Sequence, residues 1–258
     1  RRLAEHPCSE AVTLLQAEAD GLTRTVATPQ NELWQALYPW LRASYQVAII
    51  EGYNADDRPA AAVIEEKLAQ AATRGEFWWI EEGEEAAQGT WSQAAASFFA
   101  RPNVYLADEQ TLGDCLLARV ILSPADETAA TFATGDATIG LRQVKLGTAR
   151  RGAPLPVVLY WLADAPVAGS YTVFVQLLDQ SSSIISQQDN LPVHGLAPTD
   201  TWHPGALIRD PYQLAVPPDI APGLYQLHIG LYDADGRLPA SLPDGGSADR
   251  LTLSVEVK

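Results

Sequence analysis

Apolar and polar residues alternate along residues 251–258, which read LTLSVEVK. This alternation predicts a β-strand with one buried and one solvated face, because successive side chains of a strand point to opposite sides. Residues 155–161 and 225–231 have the same pattern, and turn-forming pairs such as Pro222-Gly223 separate the candidate strands. Seven or eight strands over about 120 residues are typical of an antiparallel β-sandwich, either immunoglobulin-like or a jelly roll.

The composition of the chain changes after Ala125. Residues 1–125 hold 13 Glu, 6 Pro and 6 Gly, whereas residues 126–258 hold 2 Glu, 12 Pro and 12 Gly. Glu favours helices, and Pro and Gly mark the turns between strands. We therefore expect an α/β domain at 1–125, a linker at 126–136 and an all-β sandwich domain at 137–258.

In the first domain, apolar runs of strand length alternate with helical patterns. The runs lie at 23–27, 46–51 and 77–81, and a helical pattern between the last two begins near Pro59 and ends at Gly75. This order predicts a mainly parallel sheet with helices on both faces, a small Rossmann-like or flavodoxin-like three-layer fold. The other predicted elements are an opening helix at 8–19, a helix from Gln30 or Asn31 to Leu41, a helix at 91–100 and a final strand at 115–122.

The chain is strongly acidic. Its 258 residues include 17 Lys and Arg against 32 Asp and Glu, a net charge of −15. Most of its surface would repel a polyanion, so nucleic acid is not an expected partner. Apolar runs such as 157–163 are far shorter than the ~20 residues that cross a bilayer. The chain contains no Met and begins with Arg1-Arg2, so we expect it to be an excised piece of a longer protein.

The sequence has no recognisable cofactor loop or catalytic motif. It lacks GxGxxG and GxxxxGK[ST], whose backbone amides cradle phosphates, and it lacks the GxSxG nucleophile turn. The four His residues do not suggest a catalytic triad. No cofactor, metal or catalytic residue is therefore predicted.

The two cysteines are Cys8 and Cys115, and neither belongs to a CxxC pair. They are compatible with a disulfide in an oxidising compartment or with two buried thiols. No His or Cys lies at the spacing that a structural zinc site requires.

Acidic residues follow two of the predicted strands. Glu81 and Glu82 begin the run EEGEE, and Asp56 and Asp57 hold the equivalent place after the preceding strand. Open α/β sheets bind ligands at the carboxyl ends of their strands. The two clusters could therefore hold a cation or a basic partner on one rim, and the alternative is a solvated run of charge.

The sandwich has aromatic residues that could bind a sugar. Flat rings with polar edges suit carbohydrate faces, and the alternative is that these rings fill the core. The candidates are Tyr160, Tyr171, Trp202, His203 and Tyr212. Asp189 and Asp210 lie beside turn-forming residues, so we expect them to cap backbone amides.

A series of short motifs spans residues 138–258. They read LPVVLYW (155–161), YTVFVQLLD (171–179), QDNLP (188–192), TWHPG (201–205), DPY (210–212), PGLY (222–225), GLYD (230–233) and GRL (236–238). Together they resemble the C-terminal extracytoplasmic region of bacterial membrane glycosyltransferases of the protein mannosyltransferase and aminoarabinose transferase superfamily, which are similar to glycosyltransferase family 39. The first domain resembles the α/β segment of such proteins more loosely, through residues 34–41 and the strand that follows.

The resemblance implies a role beside a membrane enzyme that takes a sugar from a polyprenyl-phosphate carrier. The family's catalytic acidic residues lie in a loop that no part of this chain matches. The expected function is therefore a noncatalytic accessory domain pair in the periplasm or at the cell surface. Its expected partners are an upstream transmembrane catalytic domain, which anchors it, and an acceptor glycan or protein.

Two other functions stay open. One is a free-standing carbohydrate-binding or interaction module, with the sandwich as its binding half. The other is a soluble enzyme that uses the rim carboxylates Asp56, Asp57, Glu81 and Glu82.

Overall fold

The structure is a computed structural model that describes residues 3–18, 25–50, 75–101, 103–122, 128–135 and 137–258. The chain divides into two compact units, Arg1–Ala125 and Asp126–Lys258. Within the described ranges, no helix has the length and apolar character needed to cross a membrane.

A five-stranded sheet forms the centre of the first unit. Its strands lie in the order β2-β1-β3-β5-β4. They are β1 (Thr25–Thr28), β2 (Gln46–Ile49), β3 (Glu76–Glu82), β4 (Val104–Leu112) and β5 (Cys115–Leu122).

This sheet is mixed, whereas the sequence predicts a mainly parallel one. Strands β1, β2 and β3 run parallel, but β5 is antiparallel to both β3 and β4. Only Gly113 and Asp114 separate β4 from β5, and so short a connection can join only antiparallel strands. Gly113 has a φ of 63°, a left-handed conformation that glycine adopts readily in a tight turn.

Alternate residues of β3 supply two separate hydrophobic clusters. Trp78 and Ile80 pack with helices α1 (Ser9–Ala17) and α2 (Asn31–Leu41). Phe77 and Trp79 pack on the other side with the last helix of this unit, Gln93–Phe99. A strand places successive side chains on opposite faces, so a continuous apolar run is buried on both sides. The helix predicted between Pro59 and Gly75 lies outside the described residues.

A disulfide joins Cys8 to Cys115, which decides between the two alternatives that the sequence leaves open. The bond spans 107 residues, and the two Cα atoms are 5.4 Å apart. Cys8 immediately precedes α1 and Cys115 begins β5. The bond therefore ties the opening helix to the sheet.

The second unit is an antiparallel β-sandwich, as the alternating sequence pattern predicts. One sheet has the order β11-β8-β7-β6-β14-β15, and the other has β10-β9-β12-β13 with β16 also paired to β12. Its strands are β6 (Ala130–Ala133), β7 (Thr138–Leu146), β8 (Pro154–Ala163), β9 (Thr172–Leu178), β10 (Ile184–Asn190), β11 (Leu207–Ala215), β12 (Gly223–Asp233), β13 (Gly236–Arg237), β14 (Ala240–Ser241), β15 (Ser247–Ala248) and β16 (Leu251–Val257).

One hydrophobic core lies between the two sheets. It combines Leu155, Leu159 and Trp161 of β8 with inward-facing residues of β9 and β12, such as Val175 and Ile229. Burying one row of side chains from each strand leaves the other row of β9, β12 and β16 on the outer face of its sheet.

The predicted linker, 126–136, is partly a strand. Ala130–Ala133 forms β6 and pairs with both β7 and β14. Ala130 and Phe132 belong to the sandwich core. The segment that suggests a linker by its Ala and Thr content therefore contains a short strand, in which alternate residues, Ala130 and Phe132, are buried.

Removing the disulfide should destabilise the first unit. The chain-entropy model gives about 4–5 kcal/mol for a closed loop of this size. A Cys8→Ser/Cys115→Ser variant should therefore unfold at a lower urea concentration than the oxidised protein. Adding reductant should lower the midpoint of the original protein and leave that of the variant unchanged. Equal midpoints for variant and oxidised protein would contradict this structural role.

Candidate functional site

Glu81 is a buried carboxylate at the carboxyl end of β3, and three donors surround it. Trp79 Nε1 and Ser92 Oγ donate to Oε1 at 2.8 and 2.7 Å, and the Ser92 backbone N–H donates to Oε2 at 2.8 Å. Burial raises the pKa of Glu81 despite these hydrogen bonds. The carboxylate thus holds Ser92, which caps the helix Gln93–Phe99. Its oxygens are engaged in hydrogen bonds that stabilise the fold.

Glu82 lies beside Glu81 in the strand but has different surroundings. The Gln30 side chain donates to its carbonyl oxygen at 2.6 Å and accepts from its N–H at 2.7 Å. Its carboxylate lies close to His6 and Cys8, a group that could hold a metal ion. In the disulfide state, however, Cys8 offers no thiolate. Asp56 and Asp57 lie outside the described residues, so the predicted rim is represented by Glu81 and Glu82 alone.

Asp210 is a buried carboxylate of the sandwich. Its Oδ1 accepts the Val193 backbone N–H at 2.7 Å, and its Oδ2 accepts from Tyr212 Oη at 2.8 Å and Trp161 Nε1 at 3.2 Å. The prediction that Asp210 caps a backbone amide is confirmed. Burial raises the pKa of Asp210, and burial together with the Asp210 charge raises that of Tyr212.

The amide that Asp210 binds belongs to a strained segment. Val193 and His194 have φ values of 54° and 53°, in the left-handed region that a β-branched residue such as valine rarely occupies. Such a conformation costs on the order of 1–3 kcal/mol and persists only where its surroundings enforce it. The hydrogen bond from the Val193 N–H to the buried Asp210 carboxylate supplies that constraint.

The aromatic residues predicted as a sugar platform lie mostly inside the unit. Trp202 is 5% exposed and donates from Nε1 to the Ala197 carbonyl at 2.8 Å. Tyr171 and Tyr212 also belong to the core cluster, and Tyr160 is fully buried. His203 alone of the five is exposed. These rings pack with protein atoms and do not form a shared solvent-facing surface.

A row of polar side chains crosses the outer face of the other sheet. Gln187 of β10 is opposite Gln176 of β9, which is opposite His228 of β12, which in turn is opposite Thr252 of β16. Three strand spacings of about 4.8 Å make this row roughly 14 Å long. Gln176 Nε2 donates to Gln187 Oε1 at 3.2 Å.

Charged side chains border this row. Arg237 Nη1 is 3.1 Å from Asp249 Oδ2, and Arg250 Nη1 is 2.8 Å from Asp249 Oδ1. Burial alone would raise the pKa of Asp249, but the Arg237 hydrogen bond and the two cationic charges outweigh it and lower the pKa. We call this surface the polar sheet face; it consists of Gln176, Gln187, His228, Arg237, Asp249, Arg250 and Thr252.

A stacked arrangement holds Arg237 in place. Its guanidinium carbon lies 4.3 Å from the centre of the Phe174 ring. The ring also lies against Gly230, where a Cβ atom would come within 2.5 Å of it. The glycine therefore lets Phe174 lie against β12, and Phe174 in turn supports the guanidinium. Arg237 is oriented while its side chain stays 37% exposed.

His228 is largely buried within the polar sheet face. Burial and then the charges of Arg250 and Arg237 lower its pKa. The imidazole is therefore neutral near pH 7, and its Nε2 is hydrogen-bonded to Gln226 Oε1 at 3.2 Å. With amide, guanidinium and carboxylate groups beside it, the face presents both donors and acceptors of hydrogen bonds.

The sequence contains a signal for this face in the alternation of β9 and β12, which is not a catalytic motif. Thr172, Phe174 and Gln176 alternate with the apolar core residues of β9, and Gln226 and His228 do the same in β12. Alternation identifies the two faces of the sheet, although Phe174, Gln176 and His228 on the outer face are themselves buried. It does not bring Arg237 and Asp249 to that face, because both lie beyond the strands that carry the row.

Comparisons with known proteins find only distant likenesses. No family model matches the chain, and no curated protein matches it significantly. The C-terminal domain of wzt has a TM-score of 0.34 and 10% identity, covering 52% of this chain and 79% of that one. A glycosyl hydrolase family 2 member from Bacteroides cellulosilyticus has a TM-score of 0.31 and 12% identity, and the match covers 55% of this chain and 18% of that one. A Niemann-Pick type C2 protein from Japanese carpenter ant has a TM-score of 0.29 and 7% identity, and the match covers 49% of this chain and 98% of that one.

Asp210 and Asp164 should give opposite pH dependences of stability. The pKa of Asp210 is raised from 3.8, so its stabilising contribution is complete below that value and is lost as the pH rises through the folded-state pKa. Hydrogen bonds from Thr138 lower the pKa of Asp164, so its contribution is complete above 3.8 and is lost as the pH falls through the folded-state pKa.

Urea unfolding of the Asp210→Asn and Asp164→Asn variants at a series of pH values tests both signs. The difference in unfolding free energy between the original protein and Asp210→Asn should shrink as the pH rises. The corresponding difference for Asp164→Asn should grow. A difference for Asp210→Asn that grows with pH would show that its carboxylate is stabilised in the charged form.

Proposed function

We propose that the chain is a noncatalytic extracytoplasmic accessory pair of a membrane glycosyltransferase that uses a polyprenyl-phosphate sugar. The observation that carries this proposal is the Cys8–Cys115 disulfide, because disulfides form and persist in oxidising compartments. The motif resemblance supplies the enzyme class. The internal hydrogen bonds of Glu81 and Asp210 support a noncatalytic role, since both carboxylates are engaged in holding loops.

Within this function, the polar sheet face contacts the acceptor glycan. Sugar hydroxyl groups both donate and accept hydrogen bonds, and the exposed Gln187 and Thr252 side chains offer both. The buried Gln176 and His228 lie between them in the row. Arg237 adds a fixed planar donor beside them. The same surface would also bind sugar in the alternative function, a free-standing carbohydrate-binding module. The two functions differ in whether a transmembrane catalytic domain belongs to the same protein.

The strand order supports the immunoglobulin-like form of the sandwich over the jelly roll. One sheet contains β7, β8 and β11, and the other contains β9, β10, β12 and β16, which matches the division of strands in immunoglobulin domains. Tyr225, near the start of β12, donates from its hydroxyl to the Ala221 carbonyl at 2.8 Å. This contact is similar to the tyrosine corner of that fold.

The encoding gene and the cellular redox state of the cysteines test the accessory role. We expect transmembrane segments encoded upstream of Arg1, and we expect rapid acid quenching followed by thiol alkylation to find Cys8 and Cys115 oxidised in cells. A gene that starts a few residues before Arg1 would overturn the accessory role in favour of a free-standing module. Two reduced thiols in cells would contradict the extracytoplasmic location.

A blocking substitution tests the glycan contact. Thr252 is exposed and lies opposite His228, so Thr252→Arg should cover the polar sheet face without disturbing the core. In calorimetric titrations with a panel of neutral and acidic oligosaccharides, it should weaken binding at least about tenfold, a loss of about 1.4 kcal/mol. Ser241→Arg, on the other sheet, is the matched control and should bind normally. No binding across the panel, or equal binding by Thr252→Arg, would contradict the contact.

A further inference from the structure

Three potential metal ligands converge where α1 meets the sheet of the first unit. A ring nitrogen of His6, Cys8 Sγ and a carboxylate oxygen of Glu82 all lie within 4.8 Å of one another. Two ligands of one tetrahedral zinc ion are roughly 3.3–3.8 Å apart, given Zn–S of about 2.3 Å and Zn–N or Zn–O of about 2.0–2.2 Å. The three atoms therefore need to close by only about an ångström to share an ion.

A fourth potential ligand is attached to this group. Cys115 Sγ is bonded to Cys8 Sγ, and Cys115 is opposite Glu82 in the register of β3 and β5. Directly opposite residues of an antiparallel pair extend their side chains to the same face. Both cysteines are fully buried, whereas His6 and Glu82 are partly exposed, so the group has a solvent-facing side through which an ion could enter.

We infer that these residues have two mutually exclusive states, a disulfide and a zinc-type metal site. In the disulfide, neither sulfur carries the negative charge that a metal ligand requires. Once the bond is open, Cys8 and Cys115 supply two thiolates, His6 an imidazole and Glu82 a carboxylate. This set of two sulfurs, one nitrogen and one oxygen suits tetrahedral Zn²⁺.

The conversion needs a two-electron reductant, such as a dithiol. The dithiol gives two electrons to the Cys8–Cys115 bond and becomes a disulfide itself, while its two protons pass to the two cysteine sulfurs. Zn²⁺ then replaces these protons, which are released to solvent. Oxidation of the bound thiolates by a disulfide oxidant reverses the sequence and expels the ion.

Existing hydrogen bonds already position one of the ligands, whereas one at His6 must change. The Gln30 side chain holds both backbone groups of Glu82, and a contact of this kind orients a metal ligand. The Cys8 backbone N–H donates to His6 Nδ1 at 3.1 Å, which keeps the imidazole beside the sulfur in the disulfide state. Ligation of an ion by either ring nitrogen requires this hydrogen bond to break, because Nδ1 then either binds the ion or carries the proton.

Cobalt titration of the tag-free chain tests the inference, because Co²⁺ reports thiolate ligation by absorption. After reduction with a phosphine under anaerobic conditions, one Co²⁺ should bind per chain, with a thiolate charge-transfer band and tetrahedral visible bands, and Zn²⁺ should displace it. The oxidised chain should give neither band. Equal binding by the oxidised chain, or no binding by the reduced chain, would overturn the inference.

Substitutions distinguish this site from a simple pair of thiols. Glu82→Gln and His6→Gln should each weaken Co²⁺ binding by at least about 10–100-fold, the range already seen when only outer contacts of a metal site are lost. Glu10→Gln is the matched control, because it removes an exposed carboxylate of α1 and should bind normally. Unchanged affinity in both Glu82→Gln and His6→Gln would overturn the four-residue site.

A Cys115→Ser variant makes the test independent of reduction. It cannot form the disulfide and keeps the three ligands that converge, so Zn²⁺ should raise its melting temperature in a concentration-dependent way. The double variant Cys115→Ser/Glu82→Gln should show no comparable rise. An equal rise in both variants, or no rise in either, would count against the site. All of these measurements concern the first unit, so their outcome is separate from glycan binding by the second.

Discussion

Both units depend on the alternation of side chains across extended strands. In β3 of the first unit, each face of the sheet is covered, so Trp78 and Trp79 are buried in different clusters although they are neighbours in the chain. In β9 and β12 of the sandwich, one row of side chains fills the core and the other lies on the outer face. The same constraint thus produces a sheet with helices packed on both faces in one unit, and a sheet with one core face and one outer face in the other. It also makes the polar sheet face possible, because a row that is not needed for the core is free to carry Gln176 and His228.

Two buried carboxylates in this protein stabilise irregular backbone segments by accepting hydrogen bonds from them. Glu81 holds Ser92 at the beginning of a helix, and Asp210 holds the strained Val193 segment. Each of these two residues lies in a strand, where the sheet fixes its position. Its carboxylate then accepts a hydrogen bond from a backbone N–H outside the sheet and holds that segment in place. Desolvation raises both pKa values, and in a pocket open to substrate such a shift would point to acid–base chemistry. Here the surrounding donors are protein amides, hydroxyls and indoles, so the shift reflects the burial of a structural group.

The contact between Cys8 and Cys115 links location, stability and metal chemistry in the first unit. As a disulfide, it closes a loop across most of that unit and is consistent with an oxidising compartment. The nearby His6 and Glu82 add the nitrogen and oxygen that the same sulfurs would need to bind an ion. On the polar sheet face, in contrast, the Arg237 guanidinium lies over the Phe174 ring, and the partly exposed Tyr232 ring is 6.3 Å from that ring. The other groups of this face are hydrogen-bonding amide, guanidinium and carboxylate groups.

Local sequence determined which segments become strands and helices, since burial of alternate or helically spaced apolar residues is encoded within each segment. It therefore predicted α2, the buried run of β3, the antiparallel sandwich and the amide-capping role of Asp210. It could not determine strand direction in the first sheet, because parallel and antiparallel neighbours bury the same apolar row. Nor could it determine which distant groups meet. The indole of Trp202 bonding inward, Arg237 lying on Phe174 beside Gly230, and His6 lying near Glu82 all depend on how separate elements pack. Such contacts join residues that are far apart in the chain, so they arise only when the elements pack together and are not encoded in any single segment.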